Sequence, residues 1–155
     1  MRYVIPDEPR QGGLSHAIVN PVWPLFAQML GGTWLAIPWF LFNGEALGSS
    51  MRKREWLCAI ASLGGSALIA LAIAWGADAG LLDRTGIRLG FLAIVALKLA
   101  MAYLLYSLQA QTFEIWQHFG GKEKAGWALV LLGAFLRPNL EKLLAGKTLL
   151  LLVLS

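Results

Sequence analysis

FLAIVALKLAMAYLLY, Phe91 to Tyr106, is an unbroken apolar run with one lysine, Lys98, near its middle. The segment around it, 87–108, has the length needed to cross about 30 Å of hydrocarbon as a helix. Its roughly ten strongly apolar residues contribute about −3 to −6 kcal/mol to insertion, against about +2.5 to +3.5 for a central lysine. The run therefore inserts in spite of Lys98. An ionisable side chain at that depth is a functional candidate by default. At helical spacing Lys98 shares a face with Leu105, Gln109, Thr112 and Trp116, so the face turns polar toward one end.

Composition extends this reading to the whole chain. Of 155 residues, 57% are hydrophobic, a further 17 are glycine and only 14% are charged; the mean hydropathy is +0.61. A soluble domain of this length could not hide so much apolar surface. The net charge of +4 is scattered apart from Arg52-Lys53-Arg54, with no polar domain to carry a nucleic-acid-binding face. A single cysteine, Cys58, excludes an intrachain disulfide and reads as a buried, inert thiol.

These features predict one all-α membrane domain over 1–155, a polytopic integral membrane protein. A polar arm, 1–19, lacks the apolar stretch of a secretory signal, which leaves insertion to the transmembrane segments. Three segments, 21–43, 57–76 and 87–108, are expected to span. A fourth hydrophobic region, 126–155, is broken by RPNLEK and is expected to be tilted, re-entrant or interfacial. In 21–43, Asn20-Pro21 supplies a helix start, while Pro24, Gly31-Gly32 and Pro38 interrupt the rest of the segment. The preferred layout is a single span with the amino terminus outside, because Arg52-Lys53-Arg54, Lys122 and Lys124 mark the cytoplasmic loops. The competing layout is a hairpin turning at Gly31-Gly32, with a cytoplasmic amino terminus.

In 57–76, Ser62, Ser66, Ala70 and Ala74 recur at four-residue steps and form a candidate helix-packing face. The pairs Gly44/Gly48, Gly76/Gly80 and Gly86/Gly90 have the same spacing but sit at segment ends, where turns are the expected use. Glu45 is the nearest acidic candidate to pair with Lys98. The bland alternatives for Lys98 are snorkelling or bonding to carbonyls freed by the interrupted first segment. His16 and His118 are too poor a set for a metal site, and Gly146-Lys147-Thr148 lacks the earlier glycine of a phosphate loop. No metal, cofactor or catalytic constellation is expected.

The functional expectation is a small non-catalytic subunit or scaffold, packing laterally against other membrane proteins or copies of itself in a bacterial inner membrane. The candidate functional polar residues are Lys98, Glu45 and Gln109, and the alternative function is an oligomeric channel or transporter that uses Lys98 and the broken segments as its pathway. A membrane-embedded enzyme comes third.

Overall fold

The computed structural model describes residues 14–144 and 152–154. Among them the regular elements are helical: a 3-10 turn (Ser15–Ala17), then α1 (Val22–Leu30), α2 (Thr33–Leu47), α3 (Arg52–Asp78), α4 (Arg84–His118) and α5 (Trp127–Leu144). Most of the amino-terminal arm and most of the AGKTLLLLVLS stretch lie outside the described residues.

Two helices, α3 and α4, are long and apolar enough to cross a membrane. At 1.5 Å per residue they measure about 40 and 52 Å. Together they make the most extensive helix pair in the molecule. Small residues set its spacing: Ser62, Ser66 and Ala70 are buried, a Cβ at Gly65 would meet Leu97, and Gly90 lies against Ile73. Beyond Ala70 the buried positions become Ile73 and Gly76, and Ala74 is exposed. The reason is helical drift: an exact four-residue step departs from 3.6 residues per turn and rotates off the contact.

The region expected to be one span, 21–43, is two helices instead. Gly32 has φ 98° and ψ 176°, a conformation open essentially to glycine, and it breaks the chain between α1 and α2. The two helices then run antiparallel. Val19 donates its backbone N–H to Asn43 Oδ1 at 3.0 Å, and Ile18 clusters with Ala46 and Leu47, so both ends of the pair lie together. At nine and fifteen residues, α1 and α2 measure about 13 and 22 Å; neither crosses 30 Å of hydrocarbon. The hairpin is accordingly the layout observed, and the single span is corrected by the break at Gly32. The base of the hairpin packs on Phe113 and Trp116 of α4, at the Arg52–Arg54 end of the α3–α4 pair.

Helix α5 runs alongside α1 in the same direction. Gly126 sits against Trp23, and Gly133 sits against Gly31 and Leu35. Upstream of it, Lys124 donates its N–H to the Ile18 carbonyl at 3.0 Å, which holds the start of α5 at the base of the hairpin. It carries Pro138, Arg137, Glu141 and Lys142 in one eighteen-residue helix, so RPNLEK does not break it.

Three helix ends share one device. Gly48, Gly80 and Gly120 have positive φ. The N–H groups of Ser49, Leu81 and Gly121 reach back to the carbonyls of Gly44, Gly76 and Trp116, completing Schellman caps. In such a cap the residue whose carbonyl accepts and the positive-φ glycine are four residues apart. That accounts for the spacing of Gly44/Gly48 and Gly76/Gly80. Gly86 and Gly90 differ, since both lie inside α4. There Gly86 donates its N–H to the capping Asp83 Oδ1 at 2.7 Å.

Candidate functional site

Two polar clusters are buried in this otherwise apolar framework. The first joins α2, α3 and α4. Gln109, fully buried, donates through Nε2 to the Phe40 carbonyl at 2.7 Å and to Glu55 Oε2 at 2.9 Å. Its Oε1 accepts from Asn43 Nδ2 at 3.2 Å. Asn43 Oδ1 in turn holds the Val19 N–H, so one side-chain network ties the start of the hairpin to both long helices. Glu55 is 2% exposed, and its Oε1 has no hydrogen-bond partner among the described residues. Gly44 makes room for that carboxylate, since a Cβ there would overlap it.

The second cluster lies deeper. Gln109 and Lys98 are eleven residues apart on α4, about 16 Å along its axis, so Lys98 sits near mid-depth of the apolar stretch. It is 5% exposed, and its Nζ donates to the Leu152 carbonyl at 2.6 Å. The tip of the hairpin comes to the same level. A cavity of about 290 Å³ is lined there by Lys98, by Gln28 and Met29 of α1, and by Arg137 of α5. Arg137 Nε bonds Glu141 Oε1 at 2.8 Å one turn on, and Nη1 lies 3.5 Å from the Leu30 carbonyl.

Side chains also close the backbone at the tip. Trp34 Nε1 donates to the Gly31 carbonyl at 2.6 Å, and Gln28 Nε2 donates to Thr33 Oγ1 at 2.9 Å. Non-helical backbone at membrane depth is tolerated only where protein covers it. Gly31, Gly32 and Thr33 are all buried.

Gln109 and Lys98 thus occupy separate clusters on one face of α4. Glu45 belongs to neither. It is exposed and pairs with Arg52, also through Arg52 Nε to Oε1 at 2.8 Å. The expected Lys98–Glu45 pairing is therefore corrected: Glu45 lies on the last turn of α2, at the level of the α3 start, far above Lys98. Lys98 uses a carbonyl, as the bland reading allowed, but one of the carboxyl-terminal segment and not of the hairpin. Arg52, Lys53 and Arg54 are exposed at the start of α3. His16 and His118 are exposed, and no group of three metal-ligating side chains occurs among the described residues.

Four polar residues of these clusters escaped the sequence reading. Glu55 could have been found by carrying the small-residue stripe back from Ser62 by two turns. Asn43 was hidden beside the more conspicuous Glu45. Gln28 and Arg137 carry no local signal, because only the hairpin brings them to Lys98. No protein-family description, curated protein or solved structure matches this chain significantly.

Proposed function

We propose that this chain is a small non-catalytic membrane subunit that packs laterally against a partner helix in a larger assembly. The observation that supports the reading is the outward face of α3. Leu57, Ile60, Leu68, Leu71 and Trp75 are exposed there, and they flank Gly64, around which the fold places no atom within 4 Å of a Cβ position. A glycine in a helix interior costs about 1 kcal/mol relative to alanine, and on a lipid-facing surface its use is close approach by another helix. The hairpin packs on α4 and on the opposite, buried side of α3, and α5 packs on α1, so this face stays open among the described residues.

The test is purification of the full chain in mild detergent with mass measurement of the intact assembly. A stoichiometric partner or second copy is expected, and Gly64→Leu should release it while leaving helicity unchanged. A monomer for both proteins refutes the proposal.

A second reading, an oligomeric channel or transporter, draws on the discontinuous hairpin and the charged cavity at its tip, since broken helices meeting at mid-depth are where transporters place their sites. Solute or ion flux in proteoliposomes that Lys98→Met abolishes, with assembly intact, would favour it over the scaffold.

A further inference from the structure

We infer that the cavity at the hairpin tip is a binding site for a single-chain anionic amphiphile of the fatty-acid type, with its carboxylate between Lys98 and Arg137 and its chain leaving along α4 into the lipid. This goes beyond lateral packing and does not depend on it.

The head of such a ligand is defined by charge. An ammonium has three N–H donors, and Lys98 uses one, on the Leu152 carbonyl. Among the described residues, the ion pairs are Arg52–Glu45 and Arg137–Glu141, so Lys98 faces no carboxylate there. Arg137 brings a second cation to the same cavity, with a guanidinium that has five donors and spends Nε on Glu141. With Glu141 counted, the described residues of the lining carry one net positive charge. Buried charges are normally paired, and a carboxylate is the group that both cations bind well.

The tail is defined by the walls. Phe91, Val95 and Leu99 line the cavity from α4, and all three are exposed. The cavity therefore opens sideways, through an apolar wall, at the depth where acyl chains lie. Its volume, about 290 Å³, lies at the lower limit of small-molecule pockets. It suits a compact head and the first part of one chain, and is too small for a two-chain phospholipid.

The experiment is equilibrium binding of radiolabelled palmitate to the full chain in nanodiscs of neutral phosphatidylcholine, with hexadecanol and acetate as competitors. Saturable palmitate binding is expected at one site per chain. Hexadecanol and acetate should each compete at least tenfold more weakly than unlabelled palmitate. Lys98→Met should weaken binding at least tenfold, and Arg137→Gln severalfold. Val95→Trp, which leaves both charges in place and fills the apolar wall, should also abolish it; this arm decides the matter if Lys98→Met fails to fold. Hexadecanol competing as well as palmitate would refute the anionic head, and acetate competing equally would refute the chain. Palmitate binding unchanged in Lys98→Met or Val95→Trp would refute the site.

Discussion

Replacing Gln109 with leucine isolates the network that joins the hairpin to the long helices. Gln109 makes three side-chain hydrogen bonds, to Phe40, Glu55 and Asn43, and is fully buried. Leucine has similar bulk and supplies none of them. Phe40 lies within α2 and keeps its helical bond, so its loss is small. Glu55 is the expensive partner: Oε1 already has none among the described residues, and Gln109→Leu strips Oε2 as well. Leaving a buried carboxyl oxygen without its donor costs about 3 kcal/mol, at the top of the range for an orphaned buried acceptor. Glu55→Leu alone should cost only about 1 kcal/mol, since Gln109 keeps Phe40 and Asn43. Removing both polar groups together should cost about 2 kcal/mol, because replacing both partners with apolar groups avoids the orphan. The cycle therefore predicts a coupling of roughly 2 kcal/mol or more between positions 55 and 109, at the upper end of the range for residues in contact. Reversible unfolding in mixed dodecyl maltoside and dodecyl sulfate micelles, followed by circular dichroism and tryptophan emission, measures all four proteins. Costs that add to within about 0.5 kcal/mol, or a Gln109→Leu cost below about 1 kcal/mol, would show that Glu55 is hydrated and that the network does not hold the hairpin.

Three further outcomes are expected from the fold. On a Cys58→Ser background, His16→Cys and His118→Cys should both react with an impermeant thiol reagent from one side of the membrane, the side of Arg52; labelling from opposite sides would restore the single span over 21–43. Gly32→Ala should destabilise the chain by about 1–3 kcal/mol, the cost of a side chain at such a backbone conformation, whereas Gly64→Ala should be neutral or slightly stabilising, which the same micelle unfolding checks. Asp83→Ala should cost about 1 kcal/mol through loss of the α4 cap, with increased amide exchange confined to the first turn of that helix.

The two long helices were legible because their signal is local. Uninterrupted apolar length identifies 57–76 and 87–108 without any knowledge of what they touch, and of the small-residue stripe Ser62, Ser66 and Ala70 are buried while Ala74 is exposed. The first segment was harder for the same reason. Its absence of charge satisfies the rule for a span, while the feature that divides it, Gly32, differs from a tolerated helix glycine only in a backbone angle. Both layouts were visible; the bonds between Val19 and Asn43 and between Lys124 and Ile18 decide between them, and neither is encoded by spacing. Lys98 and Gln109 could be singled out because polar residues in apolar surroundings stand out. Their partners could not, since sequence separations of 54 to 69 residues connect them.

With α3 and α4 spanning a bilayer, as proposed, the polar side chains that made the first and last segments look defective are the ones that would allow the hairpin to stop at mid-depth. A turn there frees the last carbonyls of α1, and no water is at hand to take them. Arg137 approaches the Leu30 carbonyl, Trp34 holds the Gly31 carbonyl, and the Gln28–Thr33 bond fastens one helix of the pair to the other across the break. Insertion scales charge Arg137 the full cost of an isolated arginine at a helix centre, about 2.5–3.5 kcal/mol. In the folded chain part of that cost is offset, because the same guanidinium satisfies Glu141 and the hairpin tip. Lys98 repeats the pattern from the other side of the cavity, bonding the Leu152 carbonyl. Both charges are thus tied to backbone carbonyls at one level of the molecule. They differ in what remains: Arg137 has an acid beside it, whereas Lys98 keeps two donors facing a space with no carboxylate among the described residues. Structural need accounts for a polar group at that depth, but a hydroxyl or an amide would have met it; the surplus positive charge is what calls for an anion.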